Sequence, residues 1–249
     1  MNERGRRAPS RRAFLAGVGT AVGAGVAGCL GGGPDLPDET PTGPVATAPV
    51  PDAPGEYTYA TMGSADAPVR AVYYGNWKCP YCSNFSTGSL GDVVGDYVEP
   101  GDVALTFRCL AYVGGEPFLG KDAPRAARAG LAVWNVDPAT YWRYHEYVMT
   151  NQPAESKEWA TVDTLVGMAK KAGVSDPDAV RSAVTSGKYA SPVRKTARRA
   201  SRLGLRGTPA LVVGDRAVNP LDAERTRAVL DGAIDSATGG SAATGTESG

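Results

Sequence analysis

A Cys-Pro-Tyr-Cys word at residues 79–82 follows an apolar, β-branched run at 69–74 and opens a stretch with helical character. No other feature restricts the 249-residue chain so tightly. A helix start presents unsatisfied N–H groups and a partial positive charge. Proline in the first helical turn costs no ladder hydrogen bond, so Pro80 belongs just inside the helix and Cys79 at its tip. A thiolate there is stabilised, and Cys79 is expected to ionise well below the free-thiol value of about 8.5. Cys82 lies one turn along the same face, within bonding reach. Three chemistries are open to such a pair. A redox couple would use Cys79 as the attacking sulfur and Cys82 to resolve the mixed disulfide. A zinc site needs about four ligands, and the chain offers one histidine, His145 in an aromatic helix, and, with Cys29 read below as a lipid-bearing residue, one spare thiol, Cys109. A structural bridge over so short a loop adds little stability. The redox reading fits the placement best: Cys79 and Cys82 are the expected catalytic residues, with no metal and no cofactor beyond their own disulfide.

The N-terminus reads as a targeting segment. Arg4, Arg6, Arg7, Arg11 and Arg12 precede a weakly apolar run of small residues at 13–27, too short and too Gly-rich for a good membrane span. The word S-R-R-A-F-L at 10–15 resembles a twin-arginine export signal, and V-A-G-C at 26–29 resembles a lipobox that directs lipid to Cys29. Without residues 1–28 the chain keeps 21 basic and 25 acidic side chains, a net charge of about −4 that gives no reason to expect a nucleic-acid partner. Export would also place the thiols where disulfides persist.

Residues 29–54 carry the lipidated Cys29 and then a Gly/Pro/Thr-rich stretch without apolar period, expected to be a disordered linker spanning roughly 28 Å. The Gly/Ser/Thr/Ala tail at 236–249 is expected to be disordered too. Residues 55–235 then form one domain. Strands are predicted at 69–74, 103–110, 210–213 and 216–218, with 57–59 as an edge strand. Helices are predicted over 81–97, through a block at about 121–204, and at 221–234. Pairs such as Asp137-Pro138, Gln152-Pro153, Asp176-Pro177 and Ser191-Pro192 read as helix starts inside the block. The order implies an α/β fold: a mixed central sheet flanked by helices, interrupted by a helical subdomain.

These words together resemble the thioredoxin superfamily, and its DsbA-like branch in particular. The resemblance rests on C-P-Y-C after a strand, R-G-T-P-A-L-V-V-G at 206–214 after the helical block, Y-W-R-Y-H-E-Y-V-M at 141–149 and G-S-A-D-A-P-V at 63–69. It implies a thioredoxin fold and a thiol-disulfide oxidoreductase. It also implies that Thr208-Pro209 is a cis pair beside the cysteines, with Thr208 and Pro209 as substrate contacts. Pro80, Tyr81 and Trp77 flank the cysteines and are expected to rim a peptide groove, with a place in the core the equal alternative for Trp77. The implied substrates are thiols of exported proteins, and the implied reoxidant is a quinone-linked membrane partner. The expected location is the outer face of the cytoplasmic membrane, through lipid on Cys29. A reductase of the same fold, serving cytochrome c or metallochaperone thiols, is the first alternative. A binding lipoprotein with a purely structural disulfide is the second.

Two positions depart from the branch. Many relatives carry a carboxylate six or three residues before the first cysteine, where this chain has Tyr73 and Asn76; many carry histidine where it has Cys109. Cys109 reads as a small buried hydrophobe, or else as a third working thiol. Arg194, Arg198 and Arg202 share one helical face, which is a solvated face by default and a docking face for anionic headgroups or an acidic partner otherwise.

Overall fold

The computed structural model describes residues 35–242. The twin-arginine word, the lipobox and Cys29 lie outside the described residues. The sheet begins with a two-residue edge strand, β1 (Thr61–Met62). β2 (Val69–Gly75) follows, its Val and Tyr suited to a pleated surface, with both faces buried from Tyr73 onward. The chain then passes through α1 (Pro80–Ser86), α2 (Ser89–Val93) and a π-helical turn at Val94–Val98. β3 (Val103–Cys109) returns parallel to β2, in register from Val69 opposite Val103 to Gly75 opposite Cys109. A small hairpin, β4 (Tyr112–Val113) and β5 (Glu116–Pro117), leads into the helical insertion.

The insertion comprises α3 (Ala123–Val136), α4 (Tyr141–Asn151), α5 (Val162–Lys171), α6 (Pro177–Thr185) and α7 (Ala190–Arg202). β6 (Ala210–Val213) then enters antiparallel to β2, β7 (Arg216–Val218) turns back on β6, and α8 (Ala223–Ala242) follows. The strand order is β1-β3-β2-β6-β7. β2 is therefore the central strand, and α1 starts from its C-terminal end, where ligands of open α/β sheets bind. Among the described residues, no helix is long and apolar enough to cross a membrane.

The structure corrects the expected disorder of the linker over 35–54. Val45 and Ala48 are buried in the main core, with Leu36 and Val50 packed against it. Tyr147 donates its hydroxyl to the Pro37 carbonyl at 2.5 Å, Gly63 N–H donates to the Pro49 carbonyl at 2.8 Å, and Asp38 pairs with Lys171. Spaced apolar side chains reach hydrophobic seats on the domain, each worth about 1.5–3 kcal/mol when fully buried. A segment held that way needs no helix or strand period. The tail is corrected likewise over 236–242, which continues α8; Ser236 and Thr238 bond back to the carbonyls of Gly232 and Ile234.

Smaller differences have local causes. The edge strand is β1 instead of 57–59, because Tyr57 and Tyr59 are drawn to the insertion. The Tyr57 carbonyl accepts Trp134 Nε1–H at 2.7 Å, and the Tyr59 hydroxyl donates to the Pro192 carbonyl at 2.9 Å. The helix expected over 81–97 breaks at Thr87-Gly88, where a Cβ on Gly88 would stand 2.7 Å from the Asn84 carbonyl oxygen. Gln152-Pro153 ends α4 and starts nothing, since Gln152 is extended (ψ 128°), the geometry a following proline favours.

Candidate functional site

Cys79 is the N-cap of α1 and Pro80 its first residue. The N–H groups of Cys82 and Ser83 both donate to the Cys79 carbonyl, at 3.0 and 3.1 Å, so the motif closes into a helical turn with both cysteines on one side. Thr208 and Pro209 come from the far end of the sequence. Antiparallel pairing of β6 with β2, Ala210 opposite Tyr74, brings them to the helix tip. The Thr208–Pro209 peptide is cis. The Thr208 carbonyl oxygen lies 3.4 Å from Cys79 Sγ, and the Asn76 N–H donates to Cys82 Sγ at 3.4 Å.

The structure presents both cysteines as free thiols, almost fully buried, yet their acidities diverge. The hydrogen bond from the Cys82 thiol does most to lower Cys79. Burial opposes it, and Thr208 and the N–H groups of Cys82 and Tyr81 add to the lowering; the Cys79 pKa falls to about 6. Cys82 is pushed well above the ordinary thiol value, first by burial and then by its bond to Cys79. One thiolate is thus shared by two sulfurs and resides on Cys79. Cys109 belongs to neither group: burial raises its thiol to about 12.

Residues just before the pair tie this geometry to the insertion. Asn76 is fully buried and uses both ends of its amide: Nδ2 donates to the carbonyls of Leu110 and Phe118 at 2.9 and 3.1 Å, and Oδ1 accepts the Lys78 N–H at 2.9 Å. Lys78, 1% exposed, carries its ammonium to Asp122 at the start of α3 and to the Lys157 carbonyl at 2.9 Å. Asp122 also accepts the Ala160 N–H at 3.0 Å. Burial alone would raise the Asp122 carboxyl, but the bonds from Lys78 and Ala160 bring it below its usual range.

Deeper lies a second polar cluster. Ser86 donates to Glu146 and sits 3.2 Å from His145 Nδ1, which is 3.4 Å from Glu146 Oε1. Tyr73 stands between the cluster and Cys82; its buried hydroxyl has no hydrogen-bond partner, and burial and then Cys82 hold its pKa well above the ordinary phenol value. Sequence reasoning found the empty carboxylate positions at Tyr73 and Asn76 but not Lys78, Asp122 and Glu146. The only signal for these was a lysine directly before the first cysteine. Their partners are 44 and 60 residues away in sequence.

The expected contact residues divide. Pro80 is exposed, Tyr81 is 61% exposed, and Thr208 and Pro209 are half-buried beside Cys79. For Trp77 the core alternative holds and the groove-rim reading is corrected: at 1% exposure it rims nothing. Its ring packs edge-on to Phe107 (5.2 Å between centroids) and against Tyr144 and His145. It fills a space that exists because residue 130 is glycine; a Cβ there would meet Trp77 Cζ2 at 2.7 Å. The turn after β2 points residue 77 inward, under the insertion. His145 is likewise fully buried in this aromatic cluster.

Comparison with known proteins agrees with this geometry. The thioredoxin family model matches residues 56–232. Disulfide bond formation protein D of Bacillus subtilis is 30% identical over 157 residues, covering 63% of this chain and 68% of that protein. Probable disulfide bond formation protein D of Bacillus cereus is 30% identical over 164 residues, covering 66% and 73%. Among solved structures, oxidised BdbD from Bacillus subtilis superposes with a TM-score of 0.65 at 27% identity, over 76% of this chain and 98% of that one. Chlamydia trachomatis DsbA, at 22% identity over 70% of this chain and 90% of that one, shares the fold with a TM-score of 0.61.

Proposed function

The chain belongs to the thioredoxin family as a DsbA-like thiol-disulfide oxidoreductase, and on that premise we propose that Cys79 and Cys82 donate their disulfide to thiols of exported proteins. The observation that carries the direction is the split acidity of the pair. In the oxidised protein a substrate thiolate attacks Cys79 Sγ and the Cys79–Cys82 bond breaks. Cys82 leaves and takes up a proton, as its raised pKa demands. A mixed disulfide now joins the substrate to Cys79. The second substrate thiolate attacks the substrate sulfur of that bond and expels Cys79 as a thiolate. A thiol with a pKa of about 6 is a good leaving group. The substrate gains a disulfide, and the protein keeps two electrons and one proton as the Cys79 thiolate and Cys82 thiol.

Thr208 and Pro209, with Pro80 and the exposed Tyr81, are the proposed contacts for an extended substrate backbone, the Thr208 carbonyl lying 3.4 Å from the Cys79 sulfur. No cofactor beyond the cysteine pair is proposed. The electrons pass to a quinone-linked membrane partner. Residues 1–28 act as a twin-arginine lipoprotein signal, Cys29 carries lipid, and the protein works at the outer face of the cytoplasmic membrane. Motif order supports these last assignments.

The reduction potential of the Cys79–Cys82 pair tests the direction. Equilibration with glutathione buffers is expected to give a value near −120 mV, as for strong disulfide donors; a value near −270 mV would make the protein a reductase. The two outcomes differ by about 7 kcal/mol, at roughly 1.4 kcal/mol per 30 mV.

A further inference from the structure

Between Asp178 and Asp215 the chain has no carboxylate and eight cations. Arg181 is paired with Asp163. Arg194, Lys195, Arg198, Arg199, Arg202 and Arg206 have no acidic partner within 4 Å among the described residues. Six cations concentrated on one helix and the loop after it, in a chain of zero formal charge, make a local field that the domain itself does not neutralise.

Three of these cations, Arg194, Arg198 and Arg206, border a groove. Between α7 and the β4–β5 hairpin runs a cleft of about 520 Å³. Leu110, Val113, Ala197 and Leu205 give it an apolar lining; Arg194, Arg198 and Arg206 give it positive charge, and no carboxylate lines it. Arg194 is held over the Tyr112 ring, 5.0 Å from its centre. The groove adjoins the redox pair. Arg206 lies two residues before Thr208, at most about 7 Å of chain. At the other side Leu110 accepts the amide of Asn76, three residues before Cys79.

We propose that this groove binds an acidic segment of the polypeptide whose cysteine is oxidised at Cys79. The inference rests on the redox reading above and adds a substrate class to it. A concave, apolar-lined cleft with a cationic border fits a peptide strand with apolar and acidic side chains. A planar headgroup surface cannot follow the lining of a cleft, and the exposed large hydrophobics among the described residues, Tyr81 and Leu221, lie outside it and offer no apolar insertion beside it. The acidic side chains would stand a few residues from the substrate cysteine, on the arm of the peptide that enters the groove.

The test uses the oxidised full-length chain and two dithiol peptides, alike except for Glu or Lys at those positions. The Glu peptide is expected to react about tenfold faster at low salt, with the advantage vanishing at high salt. The double variant Arg194→Gln/Arg198→Gln is expected to lose most of that preference while its reaction with dithiothreitol stays unchanged. Equal rates for the two peptides, or an undiminished preference in the variant, would overturn the proposal. Serine versions of both peptides, measured for binding alone, separate it from the redox reading. Binding without a Glu preference sinks the groove whatever the chemistry does. An inert disulfide toward dithiothreitol sinks the redox reading and leaves a measured Glu preference standing. Adhesion to phosphatidylserine vesicles with no peptide preference would reassign the face to the membrane.

Discussion

β2 and β3 run side by side and end level with one another, Gly75 opposite Cys109. Past these ends the two chains part. β2 continues through a buried turn into α1 and places Cys79 on a helix tip, where its pKa falls to about 6. β3 stops on Cys109 itself, and burial pushes that thiol to about 12. Both thiols are enclosed by protein, and desolvation raises each of them. Donors separate them. Cys79 has a neighbouring thiol, Thr208 and two N–H groups turned toward it, whereas at Cys109 one backbone contact faces the full cost of desolvation. Reactivity in this fold belongs to the strand that turns into a helix.

The largest way to break the contrast is Cys79→Ser. Disulfide transfer to a dithiol peptide is expected to fall to background, while Cys109→Ala keeps the rate. Background-level activity in Cys109→Ala would make Cys109 a working thiol after all. Next comes the support that only the α1 side possesses. Asp122→Asn leaves the Lys78 ammonium buried without its counter-charge, and chemical denaturation should show a loss of about 3–5 kcal/mol. A loss under about 1 kcal/mol would mean that solvent reaches Lys78.

Acid should sharpen the contrast by titration. The folded-state pKa of Cys79 is depressed, from near 9 to about 6. Its stabilising contribution to the reduced protein is therefore fully present above about pH 9 and is lost as pH falls through about 6. The oxidised protein has no such group. The stability of the reduced form relative to the oxidised form should rise from pH 5 toward 9, measured by paired denaturant curves, and alkylation of Cys79 should show a midpoint near 6. Cys109 should stay unmodified throughout that range. The smallest expected effect is that of Tyr73→Phe. Removing a buried hydroxyl that has no partner should leave stability unchanged or raise it by up to about 1 kcal/mol. A marked slowing of disulfide transfer at unchanged stability would show instead that the hydroxyl serves Cys82.

Much of this was legible beforehand where the cause is local. The strands at 210–213 and 216–218 fall where the β-branched runs and the Gly214-Asp215 turn put them. α6 starts at Asp176-Pro177, with the Asp176 side chain accepting the Ala179 N–H. What was missed depends on partners far away in sequence. Trp77 is amphipathic and next to the motif, and nothing local says which way it points; Gly130 and the ring of Phe107 decide. Val45 and Ala48 sit in a Pro- and Gly-rich stretch whose composition reads as loose, and only the seat they occupy shows otherwise.

The sequence by itself determined that a Cys-Pro-Tyr-Cys turn would cap a helix after a central strand, because capping, proline placement and strand periodicity act over a few residues. Tertiary structure decided the rest: that Thr208 comes to Cys79, that Lys78 finds Asp122, and that Arg194, Arg198 and Arg206 border an apolar groove. Ionisation, ion pairing and fields depend on distance through space, and the fold holds residues 78 and 122, or 79 and 208, together against the entropy of closing such long loops.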